Sequence, residues 1–390
     1  MNTISFLWRQ RALALIAVAT ILTSASFVVP VSTLYLLARG LTYPQIFTLE
    51  TVLVVSIMVC DLPTGRLADR TSDRLVLVSG YVIGAAAAIG YAASTTYGAF
   101  VLANILSGLA IALVSGADRS YLTSVLADES ERHLTGVLGH FGALESVAGA
   151  VAGVAGGLLA TRDITWPVVA AAGAETLGAV AVLWLPPARR PVAADEPAAR
   201  VPLLAVARQV LATPVLWLTA LQPWILVGAA FYLNQPRWQA TGIPLQYFGV
   251  VLALAQVAAA LGSHVAESLA RRFGSPTAFV AATTLATAAG FGLLAVPHGA
   301  ATVAGFIVVL AASAARGPVA GALATLAAPA RTRATTLSLV TTCGSLIGVA
   351  VNPLVGLLSQ HSVTAACWAV AGVLGGFALA WARLRPPAED

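Results

Sequence analysis

Charged side chains stand where this sequence is otherwise apolar. Glu50, Asp61, Asp118, Arg119, Glu145, Glu175 and Arg316 each fall inside a long run of small and aliphatic residues. In hydrocarbon such a charge costs roughly 2.5–3.5 kcal/mol on insertion scales unless it is paired or wetted, so these residues are expected to line a cavity. A carboxyl that burial has made less acidic can take up and release a proton near neutral pH, which is the physical requirement for proton coupling. Glu50, Asp61, Glu145 and Glu175 are therefore the proton-coupling candidates, with a structural partner to an arginine as the alternative role. Glu175 and Arg316 lie near the middle of their spans. Arg119 and Glu145 sit at similar depth by the rise of about 1.5 Å per residue, which makes a salt bridge between them plausible. Asp118 precedes Arg119 directly, so the two point in different directions around one helix.

A second set is uncharged. Gln222, Tyr232, Asn234 and Gln235 follow one another along one apolar stretch with Trp224 and Trp238, and Asn104, Gln256 and Asn352 lie in others. With Arg119 and Arg316, the residues Asn104, Gln222, Tyr232, Asn234, Gln235 and Gln256 are the candidates for a substrate cavity. The mixture of amides and aromatics suits a large, partly apolar ligand. Trp166 and Trp238, near span ends, read more simply as interfacial anchors. His264 and Glu267, one turn apart, are too few for a metal site and read as a gate contact. No metal and no cofactor are expected. The absence of GxxxxGK[ST] leaves no support for transport driven by the chain's own ATP hydrolysis.

The elements that must position these groups are membrane helices. The chain has 390 residues, 58% hydrophobic and 9% charged, far more apolar than an ordinary globular domain. Stretches of about 20 apolar residues, enough to cross a bilayer, fall at approximately 12–38, 44–68, 75–96, 99–127, 135–161 and 165–186. A second set falls at approximately 211–235, 245–270, 276–296, 300–328, 334–360 and 363–382, which makes twelve spans. The first run is too long for a signal peptide and lacks a cleavage pattern. Pro186 to Pro202 is the only sizeable polar segment, so the expected organisation is a six-helix bundle over 1–187, a linker over 188–210 and a second bundle over 211–390.

The basic residues number 21, all arginine, and give a net charge of +5. Arg9, Arg11, Arg66, Arg70, Arg74, Arg132, Arg189, Arg190, Arg200, Arg208, Arg271, Arg272, Arg331, Arg333, Arg383 and Arg385 gather in alternate loops. Arg39, Arg162 and Arg237 fall near the other side. Arginine-bearing loops stay in the cytoplasm, so both termini and the linker are expected there, and the positive charge calls for no nucleic acid. Cys60, Cys343 and Cys367 lie within apolar spans and read as small core residues. The halves also echo one another: Leu67-Ala68-Asp69-Arg70 against Leu269-Ala270-Arg271-Arg272, Arg119 against Arg316, and Gly157-Leu158-Leu159 against Gly356-Leu357-Leu358.

Between the second and third spans runs Gly65-Arg66-Leu67-Ala68-Asp69-Arg70-Thr71-Ser72-Asp73-Arg74, a charged turn too polar for hydrocarbon. It resembles the signature loop of the major facilitator superfamily. The usual loop has a glycine and then a basic residue where this chain has Ser72-Asp73. Asp61-Leu62-Pro63-Thr64-Gly65, Asn234-Gln235-Pro236 with Trp238, and Arg333 to Leu339 are similar to a bacterial exporter branch. Other marks are degraded. Asn104 stands four residues before Gly108 where drug/proton antiporters often place arginine, and the glycine-rich stretch from Gly149 to Gly157 lacks the usual proline, so close helix packing is its better reading.

The resemblance implies an all-α membrane protein of twelve helices in two pseudo-symmetric six-helix bundles, working by alternating access around a midplane site. It implies a gating network of Asp61, Gly65, Asp69, Arg70, Arg74 and Asp118, with Asp61 reaching the loop arginines. It further implies export of a hydrophobic or amphiphilic small molecule in exchange for protons, by a monomer in the cytoplasmic membrane of a bacterium. Proton-coupled uptake of a nutrient is the alternative, because direction is not written in these motifs. A membrane-embedded lipid enzyme would need an acidic or histidine cluster near one interface, which the scattered carboxylates do not provide. The chain is accordingly read as a transporter and not an enzyme.

Overall fold

A computed structural model describes residues 11–125, 131–187, 203–221 and 224–384. These residues form helices and no strand. In chain order they are α1 (Arg11–Thr23), α2 (Ser32–Ala38), α3 (Tyr43–Arg70), α4 (Asp73–Ala93), α5 (Tyr97–Val125), α6 (Glu131–Ala160) and α7 (Trp166–Leu183). After the linker come α8 (Leu203–Ala212), α9 (Pro214–Leu221), α10 (Trp224–Ala240), α11 (Phe248–Arg272), α12 (Pro276–Ala295), α13 (Gly299–Ala327), α14 (Arg333–His361) and α15 (Val363–Ala382). By length and composition, 10 of the helices can cross a membrane. The protein is an all-α, multi-pass membrane protein.

The first and seventh expected spans depart from single helices. Residues 12–38 split into α1, a 3-10 turn at Val29–Val31, and α2. Serines at 24 and 26 compete for the backbone, Ser26 bonding the Ser24 carbonyl at 3.1 Å, and Pro30 lacks the N–H that a continuous helix needs. The seventh span begins instead as α8 and α9, broken at Thr213 because the residue before Pro214 is pushed out of helical geometry. The expected linker is thus helical over Leu203–Ala212, while residues 188–202 lie outside the described residues.

The charged loop is also more helical than a hairpin. α3 continues through Arg70 and α4 starts at Asp73, leaving a turn of Thr71 and Ser72. Ser72 is the N-cap, its hydroxyl accepting from the Leu75 N–H at 3.2 Å, and Asp73 follows at the positive end of the helix. The same device opens α12, where Ser275 accepts from Ala278 N–H ahead of Pro276 at the first helical position. Thus the two halves share a cap as well as sequence echoes.

Contacts divide the chain into two units. Unit 1 comprises Met1–Leu41, Leu49–Glu196 and Leu245–Ala253; unit 2 comprises Thr42–Thr48, Pro197–Pro244 and Leu254–Asp390. In unit 1, α4 packs on α5 and α7, and α1 lies on α7 and α6. Its core joins Leu13, Ile16, Val76, Leu77, Leu113, Tyr121, Phe141 and Val182. A methyl group on Gly249 would sit 2.1 Å from the Gly153 carbonyl oxygen, so the opening turn of α11 and the glycine-rich stretch of α6 touch backbone to backbone. In unit 2, α12 packs on α13 and α15. There Gly290 and Gly305 play the equivalent part: a methyl on Gly305 would lie 2.5 Å from the Gly290 carbonyl oxygen. Trp238, expected as an interfacial anchor, is instead fully buried, its ring 5.2 Å from Phe306 in an edge contact, whereas Trp166 is exposed as expected.

Candidate functional site

Within unit 1 the helices enclose a cavity of about 430 Å³. Thr20, Thr23 and Ser24 enter it from the broken first span, Tyr81 from α4, Asp118 from α5, and Phe141 and Glu145 from α6. The remaining wall is aliphatic, including Leu77, Val114 and Val182. Tyr81 faces the hydroxyls of Thr23 and Thr20, and Asp118 and Glu175 are near enough for their charges to act on its phenol. Asp118 likewise acts on Glu145 across the cavity. Glu175 stands against α4 a turn beyond Tyr81: a methyl on Gly84 would meet its carboxylate oxygen at 3.8 Å. Asp118 and Glu175 thus lie near one tyrosine, and Asp118 and Glu145 near one another.

Such an arrangement has two chemical capacities. Carboxyls that face one space repel when both are ionised, so the arrangement is able to bind a proton or another cation. The aliphatic wall and Phe141 supply apolar area for a ligand of small-molecule size, a volume range typical of such pockets.

Of the expected site residues, Asp118, Glu145 and Glu175 come together here. Thr20, Thr23, Ser24, Tyr81 and Phe141 were missed, although hydroxyls at 20 and 23 on one face of an apolar helix are a legible sign of a lined cavity. Glu50 is half-buried on α3, outside the cavity wall. Asp61 is exposed on α3, and no ion pair joins it to Arg74 among the described residues. Arg74 instead donates through Nε and Nη2 to the carbonyls of Leu185 and Leu183, at 2.5 and 3.1 Å, satisfying orphan acceptors at the end of α7. The side chains of Gly65, Asp69, Arg70 and Arg119 lie outside what is described, as does Gln222, so the pairing of Arg119 with Glu145 lies outside it too.

The amide and aromatic candidates mostly have local partners. Asn104 donates to the Phe100 carbonyl at 2.9 Å and Gln235 to the Phe231 carbonyl at 3.1 Å, each one turn back on its own helix. Tyr232 lies 5.3 Å from Phe47 ring to ring within unit 2. Asn234 is buried with its side-chain oxygen unmatched, and Gln256 is half-buried on α11. Glu267 bonds Arg271 on the exposed surface of α11, a turn away on its own helix. No group of three or more potential metal ligands occurs among the described residues.

Sequence comparison supplies the family. The description of the Major Facilitator Superfamily matches residues 13–236. The chain belongs to the Major Facilitator Superfamily. A comparison with curated proteins finds no match. Among solved structures, the nucleoside transporter NupG superposes with a TM-score of 0.76 at 14% identity, covering 96% of this chain and 97% of that one. A bacterial homologue of the human lysosomal transporter Spinster, inward-facing and occupied, gives 0.70 at 15% identity over 97% and 98%. A POT family transporter in complex with a thioalcohol-conjugated peptide gives 0.71 at 11% identity over 95% of each chain. At these identities the likeness establishes the superfamily fold, over nearly the whole chain. The acid-lined cavity belongs to this chain's own residues.

Proposed function

We propose that this superfamily member exports a hydrophobic or amphiphilic small molecule in exchange for protons, by alternating access of the bundles 1–187 and 211–390. The observation that carries the reading is the unit 1 cavity, where Asp118 and Glu145 share one space with an aliphatic and aromatic wall. Glu175, against α4 behind Tyr81, is the reserve proton carrier. Export is favoured by the likeness of Asp61 to Gly65, Asn234 to Trp238 and Arg333 to Leu339 to a bacterial exporter branch. The segment from Asp61 to Arg74 acts as the gating element. The working form is a monomer in a bacterial cytoplasmic membrane with both termini inside, as the distribution of arginine among loops supports.

Reconstituted protein under an imposed pH gradient provides the test. Addition of lipophilic compounds is expected to release protons in the wild type, and Asp118→Asn or Glu145→Gln to reduce that release at least tenfold while the fold is retained. Substrate flux indifferent to the gradient in every variant would overturn proton exchange, and flux favouring entry along with protons would make the protein an uptake symporter.

A further inference from the structure

Among its described residues unit 2 buries two arginines and treats them differently. Arg237, 8% exposed, is fully engaged: Nε donates to the Leu294 carbonyl at 2.9 Å, Nη2 to the Ala295 carbonyl at 3.0 Å and Nη1 to the Thr364 hydroxyl at 2.8 Å. It closes the carbonyl end of α12 and ties it to the start of α15, a structural task suited to a cation. Arg316, 7% exposed and close to the midpoint of α13, makes no hydrogen bond or ion pair with any described residue. Its Nη1 is sealed from solvent without an acceptor.

Nor does its own unit hold a counter-charge in reserve. Among the described residues of unit 2 the sole carboxylate is Glu267, which is exposed and already paired with Arg271. The helix face that carries Arg316 also carries buried Val309, Ala320 and Leu323, with Ser313 a turn away, its hydroxyl 3.4 Å from that of Thr287 on α12. Ala315 packs with Phe279 and Ala266, and Ala320 with Leu218 and Val280. The guanidinium is thus an unmet charge in apolar surroundings.

We propose that Arg316 anchors the carboxylate of an organic acid, so that the transported molecule is an amphiphile with an acidic end. A planar guanidinium offers parallel N–H donors that match a carboxylate in a forked pair. The apolar surroundings select an organic acid over a small inorganic anion. Both gain the ion pair and lose hydration on entry, but an acid with an apolar body is further stabilised by the apolar surface it buries. The inference rests on the transport reading only for the site's purpose, and neither direction nor proton coupling enters it.

Binding to the full-length protein in nanodiscs, with no gradient, tests the site. The probes are 2-naphthoate and its uncharged twin, methyl 2-naphthoate, titrated by calorimetry near neutral pH. The expected result is at least tenfold tighter binding of the acid than of the ester in wild type, a preference kept by Arg316→Lys and abolished by Arg316→Met. Equal binding of acid and ester, absence of binding by the acid, or a preference that survives Arg316→Met would each overturn the proposal. Arg316→Gln is a second charge-free variant should Arg316→Met not fold. Because no proton gradient is present, failure of proton exchange leaves this outcome intact, and loss of the acid preference leaves the exchange test intact.

Discussion

The two units distribute charge in opposite ways. Unit 1 brings Asp118 and Glu175 near Tyr81 and sets Asp118 and Glu145 in one pocket with the hydroxyls of the first span, while unit 2 buries guanidiniums and has almost no acid among its described residues. Both are built from similar helices with similar glycine contacts and the same serine cap, so the difference lies in the sites and not in the scaffold. A pseudo-repeated fold can therefore shelter acidic side chains in one half and guanidiniums in the other without changing its helix packing. Unit 2 adds a second lesson: burial of an arginine says little until its partners are known.

The sharpest way to break the comparison is to remove each buried arginine with an apolar side chain of similar length. Arg237→Met strands two carbonyls and a part-buried hydroxyl and is expected to cost about 1–3 kcal/mol for each buried group left unsatisfied, seen as a large fall in melting temperature in detergent. Arg316→Met removes a charge that no described residue satisfies, and stability is expected to hold or rise. Equal destabilisation by the two variants would make Arg316 a structural residue. A smaller effect compares the shared caps. Ser72→Ala and Ser275→Ala should each cost about 1 kcal/mol, and a loss confined to one would show that the halves do not rely on the device equally.

The smallest effect concerns the turn between α6 and α7. There Asp163 accepts from the Thr165 N–H and hydroxyl, both at 2.7 Å, and these bonds, backbone first, hold its carboxyl below the usual range. A depressed folded-state pKa adds stability that is present above the unfolded value and lost as pH falls through the folded one. Asp163→Asn should therefore lower the melting temperature slightly at neutral pH and not at all in acid. A difference between the variant and the wild type that persists at low pH would assign the effect to geometry instead of charge.

Much of the architecture was readable in the chain. Hydropathy placed the spans because transfer into hydrocarbon is close to additive along a helix. It failed at Pro30 and at Thr213, where a local backbone conflict interrupts an apolar run that composition alone reads as continuous. Asp118, Glu145 and Glu175 were identifiable as charges in the wrong medium, yet nothing in their spacing showed that Asp118 lies near both Glu145 and Tyr81. Thr20 and Thr23 were overlooked because threonine is tolerated anywhere in a membrane helix, bonding its own backbone. Arg74 looked like a partner for Asp61 and proved to serve the carbonyls of α7, more than a hundred residues away in sequence.

The sequence by itself determined that this is a helical membrane protein of the superfamily, with charges that must be sheltered, since length, hydropathy and the loop from Gly65 to Arg74 are local properties. Tertiary structure alone decided which charges are satisfied. Arg237 and Arg316 are indistinguishable as letters in apolar runs; one meets the end of α12 and the other bonds none of the described residues. Hydrogen-bond partners are fixed by how distant helices face one another, to within an ångström, and no local pattern carries that distance.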